Sequence, residues 1–328
     1  MADRPPTLNR LASGFLRVRG SRRGRWVLAG ASVVSGLALA ALAARHFAAT
    51  SWPLTTGEPG VLVGAGVLLL VAQGLKAYGW SRLFDAGERP KTLALAAGNG
   101  GAALIGVLLP GRFDDAMRVA VVRRYPGCPA GVPTLCLSLV MLGLIDTVAL
   151  VPLAVVAVVV PGTGAGVRAG LAVVAAAGVV AAVLILALPR LAASGRLLRF
   201  RLGRWLNPRT TPKRRVVEAW ALVSACWFLR GVAFFLLLGT LGIGFSIPRA
   251  LLFLCAGAAA AAIPVGLAGA ATQVGAGAAA LVTAGVGLSQ ALTATVAVGT
   301  LGVLSGTAIL LGAVVWRVGM SLVPARPA

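Results

Sequence analysis

LALAAGNGGAALIGVLLPGR, residues 93–112, is the stretch on which the fold turns. It is apolar enough to enter hydrocarbon, yet Gly98, Gly100, Gly101 and Gly106 together with Asn99 loosen it, and Pro110-Gly111 cuts it short. Broken backbone survives at membrane depth only where protein or a wet cavity satisfies its polar groups. The segment therefore reads as re-entrant, entering the membrane and returning to the side it came from.

Further apolar stretches flank it at 27–44, 60–78, 132–160, 169–188, 217–242, 250–263, 268–288 and 291–315. Most approach or exceed the roughly 20 residues that a spanning helix needs. The expected fold is all-α, a polytopic helical membrane protein of about 6–8 spans with one or two Gly/Pro-broken re-entrant segments. A basic arm at 1–26 precedes a single transmembrane domain at 27–316, a basic loop at 190–216 separates its two halves, and a short tail at 317–328 follows. The run 27–44 exceeds a usual signal-peptide core and reads as an uncleaved first span; Arg25 weakens the twin-arginine hint in Ser21-Arg22-Arg23.

Charge sets the topology. The chain is 59% hydrophobic with a net charge of +22, and the cations concentrate beside apolar runs, in the arm (Arg17, Arg19, Arg22, Arg23, Arg25) and in the loop after Leu188. That distribution fits positive-inside retention and contact with anionic lipid better than nucleic-acid binding. Arm, loop and carboxyl terminus are all expected in the cytoplasm, in a multi-pass protein of the plasma (inner) membrane. An even number of crossings must then separate arm from loop, but five apolar runs lie between them, and a re-entrant 93–109 restores the parity. Trp26, Trp52, Trp80, Trp205, Trp220 and Trp316 fall near span ends and read as interfacial anchors.

A second interruption, with Pro264 and Gly266 and with Gln273 beyond it, lies between the runs at 250–263 and 268–288. One broken segment in each half points to a midplane binding site, although Gly and Ala also serve plain helix packing. No soluble-type repeat stands out.

Acids are scarce, at 8 in 328 residues, so their positions carry weight. Asp146 lies near the middle of 132–160 and Arg230 near the middle of 217–242. Each costs at least about 2.5 kcal/mol at the bilayer centre unless partnered, so the two are expected to pair, with Trp227 one turn away for a cation–π contact. Arg230 could alternatively meet a phosphate. In Arg112-Phe113-Asp114-Asp115-Ala116-Met117-Arg118, a helix starting after Pro110-Gly111 would bring Arg112, Asp114, Asp115 and Arg118 to one face and Phe113, Met117, Ala120 and Val121 to the other. Cys128, Cys136, Cys226 and Cys255 lack metal-site spacing and read as free thiols. No cofactor or metal is expected.

From Trp80-Ser81-Arg82-Leu83-Phe84 through Leu109-Pro110-Gly111-Arg112, Asp115, Arg118 and Arg123-Arg124 to Asp146, the sequence resembles the flippase-like integral membrane family related to the transmembrane region of lysylphosphatidylglycerol synthases. In that family a Leu-Pro-Gly-Arg turn leads to an acid, then an Arg, an amphipathic helix and a span bearing an Asp. Departures are Asp114 for a usual Gly, Gly143 where an Arg is common, and Val274 or Gly275 where an acid is expected. The resemblance implies the lipid-handling activity alone, movement of a phospholipid or polyprenyl-linked lipid between leaflets, with no fused aminoacyl-transferase domain expected.

The leading expectation is a lipid translocase in which Arg112, Arg118 and Arg230 meet a phosphate while Asp115 and Asp146 orient them. Arg suits this because its planar fork binds phosphate oxygens bidentately. Expected partners are membrane lipids, anionic or phosphate-bearing, and a lipid-modifying or glycosyltransferase protein. An enzyme is disfavoured by the absence of HExxH, by a single deep Asp and by a lone His46. The alternative is a non-transporting scaffold or regulator of an envelope lipid or glycan pathway.

Overall fold

A computed structural model of the protein describes Leu54 and residues 57–108, 113–159, 165–192, 211–262 and 269–322. Among these residues the chain is all-α with no strand. The helices are α1 (Pro59–Ser81), α2 (Thr92–Leu108), α3 (Phe113–Arg124), α4 (Val132–Val159), α5 (Ala165–Ala192), α6 (Lys213–Leu238), α7 (Ile247–Ala262), α8 (Gly269–Thr283) and α9 (Leu288–Leu322). Five of them, α1, α4, α5, α6 and α9, are long and apolar enough to cross a membrane. This is a multi-pass membrane protein; the stretch 27–44, the arm and most of the basic loop lie outside the described residues.

Apolar side chains face outward as well as inward. Val63, Val67 and Val71 on α1 and Val173, Val180 and Leu184 on α5 are exposed, a distribution that water would penalise and lipid does not. The interior is built from small residues with a few large ones, among them Trp80, Leu135 and Ile145, all fully buried. Trp80 is therefore no interfacial anchor: it donates its indole N–H to Ser138 Oγ at 2.9 Å inside the core. Trp220 and Trp316 do sit exposed.

The short helices form two hairpins. Along α2 and α3, Gly98 faces Arg118 and Val122, Gly101 faces Met117 and Val121, and Gly106 faces Asp114, so the two run antiparallel and the chain enters and leaves at one end of the bundle. Val122, completely buried, joins Met117 and Val121 on the packing face. α7 and α8 pair in the same way, with Gly277 against the Phe253 ring. The runs 250–263 and 268–288 are thus two arms of one hairpin. The segments between the arms, with Pro110, Gly111, Arg112, Pro264 and Gly266, lie outside the described residues, and so does the side chain of Gln273.

An internal symmetry organises these parts. Each half contains a span, a hairpin and a span: α1, α2/α3, α4 in the first and α6, α7/α8, α9 in the second. The two leading spans pack on one another along most of their lengths. They are antiparallel, because Glu58 N donates to Thr240 Oγ1 at one end, while Thr211 Oγ1 and Arg215 donate to the carbonyls of Leu83 and Phe84 at the other. The first hairpin docks on the closing span of the opposite half, α2 on α9, and the second touches the closing spans of both halves, α7 on α4 and α8 on α9. At the α2–α9 crossing the backbones touch: a Cβ on Gly100 would lie 2.4 Å from Gly306 O. The halves are therefore inverted repeats, with one hairpin entering from each end.

The cations of the predicted loop reach into helix. α6 begins at Lys213, so Lys213, Arg214 and Arg215 occupy its first turn, where the helix dipole disfavours them. Arg215 offsets this with Asp85, at 2.7 Å, and with the Phe84 carbonyl at 3.2 Å.

Candidate functional site

Where α1, α4 and α6 meet, the structure gathers a connected set of half-buried charges. Lys76 Nζ lies 2.7 Å from Asp146 Oδ2, and Trp227 Nε1 donates to Asp146 Oδ1 at 3.0 Å. The Lys76 and Asp146 side chains are only 12% and 19% exposed, so the pairing replaces water that neither can reach freely. The Trp227 ring is shared by two cations, Lys76 at 5.8 Å and Arg230 at 5.0 Å from its centroid.

The expected partnership of Asp146 with Arg230 is corrected here: the carboxylate belongs to Lys76. The expected stacking of Arg230 on Trp227 is present. Lys76 lies close to the end of the run 60–78, where a lysine can snorkel to the headgroups and needs no partner, so its position in the sequence does not single it out. Packing of α1 on α4 and α6 turns it inward instead. The signal that could have found it was there, since Lys76 is the sole charge within that run.

The site carries an imbalance. Asp146 neutralises Lys76, and Arg230 has no carboxylate or hydrogen-bond partner among the described residues. Two cations face one anion across the seam between the inverted halves. A guanidinium in this setting can present two parallel donors to an anion with two or more oxygens.

The hairpin cluster has the opposite balance. Arg118 holds Asp115, one turn before it, and also Asp114, at 3.3 Å. Three of the four predicted residues do share a face, and Arg112 lies outside the described residues. Arg118 Nε is buried without a partner, and so are both amide atoms of Asn99 on the paired helix, a residue only 5% exposed. An unsatisfied amide at that depth costs about 1–3 kcal/mol. All four cysteines are free. No group of three metal-ligating side chains gathers among the described residues.

Comparison with protein-family models, curated proteins and solved structures finds no match to this chain.

Proposed function

We propose that the protein is a flippase-like lipid translocase that moves a phosphate-bearing lipid, a phospholipid or a polyprenyl-linked lipid, between leaflets. One observation carries the reading: an uncompensated Arg230 beside the Lys76–Asp146 pair, at the seam of two inverted repeats whose hairpins enter from opposite ends. Inverted repeats with broken helices are a recurring plan for transporters whose substrate sits near the midplane. The resemblance of the stretch from Trp80 to Asp146 to the flippase-like family supports the same conclusion.

In this reading Arg230 meets the lipid phosphate, the Trp227 ring fixes the guanidinium plane, and Asp146 keeps Lys76 from competing for the ligand. The acyl chains or polyprenyl tail remain in the bilayer. No step of covalent chemistry is involved. The two ends of the bundle also differ in charge: Arg82, Arg89, Lys91, Arg123, Arg124, Arg190 and Lys213–Arg215 gather at the end where α1 stops and α6 starts, against Arg168 and Arg249 at the other. The cationic end is assigned to the cytoplasm of a plasma (inner) membrane protein, with both termini there.

The test is transbilayer movement of labelled phospholipids and polyprenyl phosphates in vesicles reconstituted with the purified protein. Arg230→Gln is expected to lower the rate at least tenfold, with stability changed by about 1 kcal/mol, the scale of a cation–π contact. Arg230→Lys should restore only part of the rate, because it supplies charge without the fork. Wild-type rates equal to those of empty vesicles would overturn translocation and leave the scaffold as the function.

A further inference from the structure

Away from that seam, α3 and α9 frame a groove of about 170 Å³ at the cationic end of the bundle. Its apolar lining includes Val121, Leu310 and the half-exposed Val314, and Arg124, Tyr125 and Arg317 line it where the helices end. Leu310 and Arg317 are seven residues apart on one helix, a rise of about 10 Å, so the groove runs from apolar to cationic lining along α9.

The two arginines are spare cations. Neighbouring Arg123 donates to the Ala130 carbonyl at 3.1 Å, Arg118 holds two carboxylates, and Arg215 holds Asp85. Arg124 and Arg317 have no ion-pair or hydrogen-bond partner among the described residues, and no acid lines the groove. Two guanidiniums without a partner among the described residues, and a phenol, beside an apolar lining have the chemistry of a phospholipid inverted: donors for the phosphate oxygens next to a surface for the first methylenes.

We propose that this groove is a binding site for an anionic phospholipid, with its phosphate between Arg124 and Arg317 and an acyl chain along Val121, Leu310 and Val314. The occupant is a lipid of the leaflet at that end and not a free anion, because the apolar lining would leave a small ion nothing to cover it. The site does not depend on translocation. It would tie the first hairpin to α9, the span on which α2 is docked.

Native mass spectrometry of the full-length protein, released from micelles containing equal phosphatidylglycerol and phosphatidylcholine, tests the site. The wild type is expected to retain phosphatidylglycerol preferentially. The Arg124→Gln/Arg317→Gln double variant should bind it roughly twenty-five-fold more weakly, about a factor of five for each cation. Val314→Trp, which fills the apolar part of the groove and leaves both charges, should also weaken lipid retention, and it keeps the question open to refutation if the double variant fails to fold. In an Arg230→Gln background, which removes the seam's phosphate contact, the groove substitutions should still lower retention, separating this site from the seam. No preference in the wild type, full retention in both groove variants, or displacement of the lipid by millimolar inorganic phosphate would each overturn the proposal.

Discussion

The two charge clusters of this protein differ in how they reach neutrality. In the first hairpin Arg118 is held by Asp114 and Asp115, four and three residues before it on the same helix, with side chains 22–33% exposed. At the seam Lys76, Asp146 and Arg230 come from three different helices, and one cation is left over. Local pairs of the first kind are assembled by helix formation alone and are worth little. Long-range pairs of the second kind exist only when the bundle is packed, and a spare charge left inside it can be retained for a ligand.

That contrast can be broken most directly at the seam. Lys76→Met and Asp146→Asn each strand a buried partner and should each cost about 3–5 kcal/mol, with the double variant far less harmful than the sum. Unfolding in detergent, run as a double-mutant cycle, measures this. The coupling between Lys76 and Asp146 should exceed that between Asp146 and Arg230; the reverse order would return the carboxylate to Arg230.

A smaller effect is expected where the hairpin is anchored by shape and not by charge. Gly100→Ala drives a methyl group into the Gly306 carbonyl, so α2 and α9 must separate, at about 1–3 kcal/mol. Loss of thermal stability with unchanged helical content is the expected readout. An unaffected variant would mean that α2 and α9 can separate at this crossing without cost.

The smallest effect belongs to the hairpin acids. Asp114→Asn or Asp115→Asn leaves Arg118 one carboxylate, and pairs at this spacing are worth about 0.3–0.5 kcal/mol. Either change alone should fall within that range by the same unfolding assay. A cost of several kcal/mol would make this cluster as dependent on tertiary packing as the seam.

Much of this was legible in the chain. Apolar run length yields α1, α4, α5, α6 and α9, because a spanning helix must satisfy its own backbone whatever its neighbours do. Glycine and proline placement marks the broken segments, since those residues act on the local backbone. The face shared by Asp114, Asp115 and Arg118 follows from helical spacing. Trp80, by contrast, reads as an anchor and lies in the core, because proximity to a span end does not say which way a side chain turns.

Sequence alone determined an all-helical membrane protein with cations gathered beside its spans and interruptions in both halves, since hydropathy, charge and backbone preference are properties of single segments. Tertiary structure decided which segments meet. The partnership of Lys76 with Asp146, the spare Arg230, the docking of each hairpin on the opposite half and the inverted repeat itself all join residues far apart in the chain. In a sequence so rich in Ala, Gly, Val and Leu, many helix pairings satisfy the same apolar pattern. Close approach at a few small residues, and the need to neutralise a handful of buried charges, select one of them.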